Sequence, residues 1–67
     1  MAAPIVVHPP SPTGGRRVTA DGAILGLAYE LRDVEEFLRR AGVDIDTAWV
    51  EDTTLIEWRG GGPESWA

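Results

Sequence analysis

Two short segments set arginine beside consecutive glycines: Gly14-Gly15-Arg16-Arg17 and Arg59-Gly60-Gly61-Gly62. Backbone amides in glycine-rich turns can ring an anion, and guanidinium groups grip a carboxylate or phosphate through parallel N–H donors. If the strands beside these segments are neighbours, Gly14, Gly15, Arg16, Arg17, Arg59, Gly60 and Gly61 converge on one small anionic ligand bearing a phosphate or carboxylate. The phosphate-loop spacing and its lysine are absent. The same residues also read as connectors whose arginines pair with nearby acids.

Nucleophilic catalysis has little to work with. The serines are Ser11 and Ser65, and His8, the single histidine, is separated from Ser11 by Pro9-Pro10. A nucleophile also needs a base, an orienting third group and a preorganised pocket. The acids Asp44, Asp46, Glu51 and Asp52 lack the central glycine and closing glutamate of a calcium loop, so they read as a solvated turn. Without cysteine, neither disulfides nor thiolate metal sites can form, and no cofactor is expected. Three tryptophans in 67 residues is a high density. Tryptophan and arginine carry much of the binding energy at protein interfaces, so Trp49, Trp66, Arg59 and Arg17 are the candidate contacts for a protein partner. The competing reading folds Trp66 back over a thin core.

The elements that must position these residues are set by periodicity. Asp21-Gly22 suits a two-residue type I′ turn, which needs positive φ at both positions. It would join Arg16–Ala20 to Ala23–Leu27, with Ala20 facing Ala23, Thr19 facing Ile24 and Val18 facing Leu25. Alternation then places Val18, Ala20, Ala23, Leu25 and Leu27 on the core face and Arg17, Thr19 and Ile24 on the other. Small alanines there would leave room for Phe37. A helix over Leu31–Ala41 is expected from Val34, Phe37, Leu38 and Ala41 at i, i+3, i+4 and i+7. Glu35 and Arg39, and Glu36 and Arg40, form i,i+4 pairs, and Gly42 suits the left-handed position after the helix. Its start lies near Glu30 or Leu31, or later if Asp33 and Glu36 form a capping box.

Leu55–Arg59 alternates as a strand, with Ile56 and Trp58 on one side and Leu55, Glu57 and Arg59 on the other. Trp49-Val50 reads as a short strand or part of the acidic turn that runs from Val43 to Thr47. Ile5–Val7 favours an edge strand after Pro4, and Pro9–Gly15 a polyproline-like excursion. The expected architecture is α+β: a small, mostly antiparallel sheet with one helix across a face. Its organisation is an N-terminal arm over 1–15, a single domain over 16–59 and a glycine-rich tail over 60–67. The expected core is Val18, Leu25, Leu27, Val34, Phe37, Leu38, Ile56 and Trp58.

Bulk properties narrow the partners. The net charge is −5, from 11 acidic and 6 basic residues. That balance disfavours nucleic acid, whose binding draws on neutralised phosphates, and anionic membrane surfaces. No apolar run approaches the ~20 residues that span a bilayer. Arg16-Arg17 is a poor export signal, because Asp21 and Glu30 interrupt the stretch after it. The cytoplasm is the expected compartment. Every basic side chain is arginine, and lysine, asparagine and glutamine are absent, a bias that points to a GC-rich bacterial genome.

Several blocks resemble short uncharacterised proteins of actinobacteria, of the Streptomyces type: Val7-His8-Pro9-Pro10-Ser11, Gly14-Gly15-Arg16-Arg17-Val18, Phe37-Leu38-Arg39-Arg40-Ala41-Gly42 and Ile56-Glu57-Trp58-Arg59-Gly60-Gly61-Gly62-Pro63. The resemblance implies no activity. A chain of ~60 residues buries only about 60% of its unfolded surface and gains from covering more of it against a second chain. The expected function is therefore a non-enzymatic protein-interaction module, a small accessory or regulatory factor that meets a foreign partner or a second copy. A small anionic ligand is the alternative.

Overall fold

The computed structural model describes residues 4–46 and 48–66. Residues 1–3, Thr47 (the end of the expected acidic turn) and Ala67 (the end of the expected tail) lie outside the described residues. The elements in chain order are β1 (Ile5–Pro10), β2 (Arg16–Ala20), β3 (Ala23–Ala28), α1 (Leu31–Arg40), a single 3₁₀ turn (Trp49–Glu51) and β4 (Ile56–Trp58). The strands form one sheet in the order β3-β2-β1-β4, with α1 against it. This is the expected α+β class.

Local chemistry accounts for the β2–β3 hairpin and for α1. Asp21 and Gly22 have φ of 51° and 87°, both positive as a type I′ turn demands. Ala20 pairs with Ala23 and Thr19 with Ile24. Helix α1 begins at Leu31, where the Asp33 carboxylate accepts the Tyr29 backbone N–H at 2.9 Å. At its other end Gly42 has φ of 79°, the Gly42 N–H donates to the Arg39 carbonyl, and the Val43 N–H donates to the Leu38 carbonyl. That pair of bonds is a Schellman cap. Both i,i+4 ion pairs form, on the exposed face, where each contributes only a few tenths of a kcal/mol.

The sheet differs from expectation in two places. First, β1 lies inside it, antiparallel to β2 and parallel to β4, rather than on an edge. Ile5 and Val7 are therefore buried at 2% and 0% exposure. Each stabilises the fold by about 1.5–3 kcal/mol, although neither belongs to the expected core. Pro9 and Pro10 cannot donate ladder hydrogen bonds. They are accommodated by a register irregularity between Val7 and Pro10, and Pro10 still stands opposite Arg16. Second, the β2–β3 register slips between Thr19 and Val18, so Val18 faces Gly26 instead of Leu25. One extra residue in a strand reverses the facing of everything beyond it. Leu27 accordingly pairs with Arg17 and is 49% exposed, while Ala28 pairs with Arg16 and is buried.

The observed core is Ile5, Val7, Val18, Ala28, Val34, Leu38, Trp49 and Ile56, with Leu25, Phe37 and Trp58 packed partly buried against it. The space for Phe37 comes from Gly26, not from the alanines: a Cβ on Gly26 would sit 2.8 Å from Phe37 Cζ. Gly26→Ala is therefore expected to destabilise the protein by about 1–3 kcal/mol in urea unfolding. Adding Phe37→Leu, which shortens the opposing ring, should make the double substitution cost less than the sum of the two singles.

Candidate functional site

Arg16 stands two residues before Val18 on β2, and alternation points it to the core side. Its exposure is 0%. Burying an ion costs several kcal/mol unless its donors are met, and here all five are. Nε donates to the His8 carbonyl at 2.9 Å. Nη1 donates to the carbonyls of Gly62 and Ser65 at 2.7 and 2.8 Å. Nη2 donates to those of Arg59 and Gly61 at 2.8 and 2.9 Å. The guanidinium carbon lies 5.4 Å from the Trp58 ring centroid and 5.5 Å from that of Trp66, within the range of cation–π attraction. The two rings meet edge to face at 6.2 Å, and Trp66 Nε1 donates to the Pro63 carbonyl at 2.7 Å. Burial pulls the Arg16 pKa below its ordinary value, with Glu64 opposing that shift.

The two glycine-arginine segments do converge, but with the opposite polarity to an anion site. The chain from Arg59 to Ser65 turns its carbonyls toward a cation, and Gly60 and Gly61, with φ of 75° and 128°, make that turn. Gly15 is buried, with the Tyr29 ring against it, and Gly14 donates its N–H to the Ser11 carbonyl. Arg16 has no donor left for a ligand. The tryptophans turn inward, Trp66 as the fold-back reading has it. Trp49 is 6% exposed in the core, and Trp66 is half-buried on Arg16 rather than offered to a partner.

Arg17 and Arg59 remain, and they share a surface. Helix α1 covers one face of the sheet. The opposite face carries a row across the strands. It runs Ile24, Thr19, Val6, Glu57, as the register pairs them. Beyond it Leu27 pairs with Arg17, and Arg59, just past β4, and Arg17 both act electrostatically on His8, which lies within the β1 register irregularity. His8 Nε2 shares a hydrogen bond of 3.1 Å with Thr19 Oγ1. Arg59 gives Nε to the Glu57 carboxylate, and its Nη atoms hold no hydrogen bond among the described residues. Arg17 forms no ion pair among the described residues. His8 is held below its usual pKa, first by burial, then by Arg59 and Arg17, with Glu57 acting weakly against them. His8 and Ser11 turn to different partners, since Ser11 Oγ donates to the Gly14 carbonyl at 2.7 Å.

Beside this face, β3 forms an edge of the sheet. Its sequence, Ala23-Ile24-Leu25-Gly26-Leu27-Ala28, has no charged residue. Ile24 is 68% exposed, and Tyr29, just past the strand, is 61% exposed. Among the described residues no group of His, Cys, Asp and Glu could hold a metal ion, and no helix is long and apolar enough to cross a membrane.

The buried cation and His8 each make a testable demand on stability. Arg16→Lys supplies three donors in place of five, so carbonyls of the 59–65 segment lose their partner. The expected loss is at least ~2 kcal/mol in urea unfolding, with a red shift of tryptophan emission. For His8, a folded pKa below the unfolded value near 6.5 means that the unfolded chain binds more protons between the two values. Stability is full above about pH 6.5 and falls as pH drops toward the folded pKa. His8→Gln should flatten that slope in chemical denaturation at a series of pH values. Asp52, whose pKa is lowered chiefly by its side-chain hydrogen bond to Thr54, acts at lower pH, where carboxylates protonate.

No protein-family model, curated protein or solved structure matches the chain.

Proposed function

We propose that this chain is a non-enzymatic protein-interaction module whose docking surface is the open sheet face together with the β3 edge. The observation that carries the reading is the grouping of the exposed large apolar side chains, Ile24, Leu27 and Tyr29, on or just past one uncharged edge strand. Edge strands present unpaired backbone groups to any extended segment, and natural sequences usually blunt them with charge, proline, a bulge or a cover; β3 carries the bulge at Leu25 but neither charge nor proline. The other edge is treated differently. β4 is three residues long, and its Trp58 Nε1 donates to the Val50 carbonyl in the 3₁₀ turn. Strand addition at β3 would give main-chain affinity, with side-chain selectivity from the adjoining face.

A catalytic role has less support. His8 bonds Thr19, Ser11 bonds a backbone carbonyl, and Arg16 is wholly engaged in the interior. The place of the protein as an accessory or regulatory factor rests on the same reading.

The test is a photo-crosslinking amino acid placed at Leu27 in the producing cell, with the same group at Glu36 on the exposed side of α1 as the comparison. A discrete product from Leu27, missing from Glu36 and lost on Ile24→Lys, is the expected result. The absence of a product, or equal products from both positions, overturns the reading. The mass of the product separates a second copy of the chain from a foreign partner.

A further inference from the structure

The open face carries charge of the opposite sign to the molecule as a whole. The chain has a net charge of −5. Of its six arginines, Arg39 and Arg40 pair with acids along α1 and Arg16 is buried. Two of the others are Arg17 on β2 and Arg59 just past β4, the two strands that flank β1 and its His8. Ile24 and Leu27 lie at the β3 end of the same face, opposite Thr19 and Arg17, so one face combines apolar and cationic contacts.

We infer that the partner presents an acidic segment extended across the open face, with a glutamate or aspartate carboxylate received over His8 between Arg17 and Arg59 and the apolar residues two and four positions away laid on Leu27 and Ile24. The inference rests on the docking reading above and adds the chemistry of the partner. Side chains on one face of an extended peptide recur every second residue, so an acidic residue spaced by two and four positions from apolar ones presents all three side chains to such a face. Arg17 has no ion partner among the described residues, and the Arg59 Nη donors are free there, so a carboxylate gains charged donors that no described residue has taken. Four groups around the site titrate or carry charge: His8 from β1, Arg17 from β2, and Glu57 and Arg59 from β4 and the residue after it. Glu57 is the resident competitor, because it holds Arg59 Nε. Protonation of His8 adds a third positive charge to the site.

The experiment is a titration of the isotopically labelled full chain, monitored by backbone amide, arginine Nε and His8 ring resonances. The probes are a capped pentapeptide Val-Ser-Val-Ser-Glu, the same peptide with Gln for Glu, and inorganic phosphate. The expected result is saturable shifts at His8, Arg17, Thr19 and Arg59 with the Glu peptide, roughly tenfold weaker with the Gln peptide. Affinity should rise as pH falls below about 6.5 and His8 charges, and fall in high salt, as exposed charge pairs do. Arg17→Ala with Arg59→Ala, both exposed positions, should remove the discrimination between Glu and Gln, and Glu57→Gln should strengthen binding of the Glu peptide. Equal binding of the two peptides, with shifts on Ile24 and Leu27, leaves the docking reading standing and overturns the carboxylate inference. Phosphate reproducing the shifts at the concentrations where the Glu peptide acts overturns it in favour of a free anion. No shift from any probe at about 10 mM overturns it as well.

Discussion

A guanidinium held inside the protein by backbone carbonyls is the contact on which the other parts converge. Arg16 reaches β1 through the His8 carbonyl, the end of β4 through Arg59, and the tail through Gly61, Gly62 and Ser65. A buried cation demands that its surroundings supply acceptors. Here the demand is met without a carboxylate, by five carbonyls and two indole rings. Guanidinium is suited to this because its donors fan out in a plane and its faces tolerate aromatic stacking, whereas an ammonium has neither property. In a chain with no cysteine, this clamp ties together segments more than forty residues apart in sequence, the task that a disulfide or metal performs in many small domains.

The clamp also shapes the surface. It turns the carbonyls of the glycine-rich segment inward and draws Trp66 onto the guanidinium, half-buried, while the other side of the sheet carries no helix. Because β1 is central, His8 projects from the middle of that face, with Arg17 on one side and Arg59 on the other. Because β3 carries one extra residue at Leu25, Leu27 is carried outward beside Ile24. The mixed apolar and cationic character of the face thus has two backbone causes: an inserted strand and a register slip. An apolar residue on an edge strand exposes both its side chain and its neighbourhood of unpaired amides, which is why the β3 edge carries the functional reading.

Some of this was legible along the chain. The Asp21-Gly22 turn, the α1 stripe, its exposed ion pairs and its glycine stop depend on residues within a few positions of one another, and the structure has them as expected. The facing of Ile56 and Trp58 away from Glu57 and Arg59 was equally plain from alternation. The candidate site was legible only in part. Residue type alone points to Arg17 and Arg59, and they do share a surface. The same grounds point to Trp49 and Trp66, and both turn inward. The burial of Arg16 has a signal in its spacing: it lies in phase with Val18, on the inward side of its strand. Four prolines in the first twelve residues weigh against a central strand at Ile5–Pro10, because proline cannot complete a ladder. A slip in register and the Arg16 side chain, which takes the His8 carbonyl, resolve that conflict.

The hairpin turn, the apolar stripe of the helix with its glycine stop, and the alternation of the last strand were legible along the chain, since each depends on φ preferences and side-chain spacing over a few residues. Long-range packing settles which strands are neighbours, where the β3 register slips, and which acceptors meet the donors of an inward-facing arginine. Those outcomes balance the desolvation of a charge and the burial of Ile5, Val7 and Ala28 against contacts contributed from the far end of the chain. No local window contains both sides of that balance.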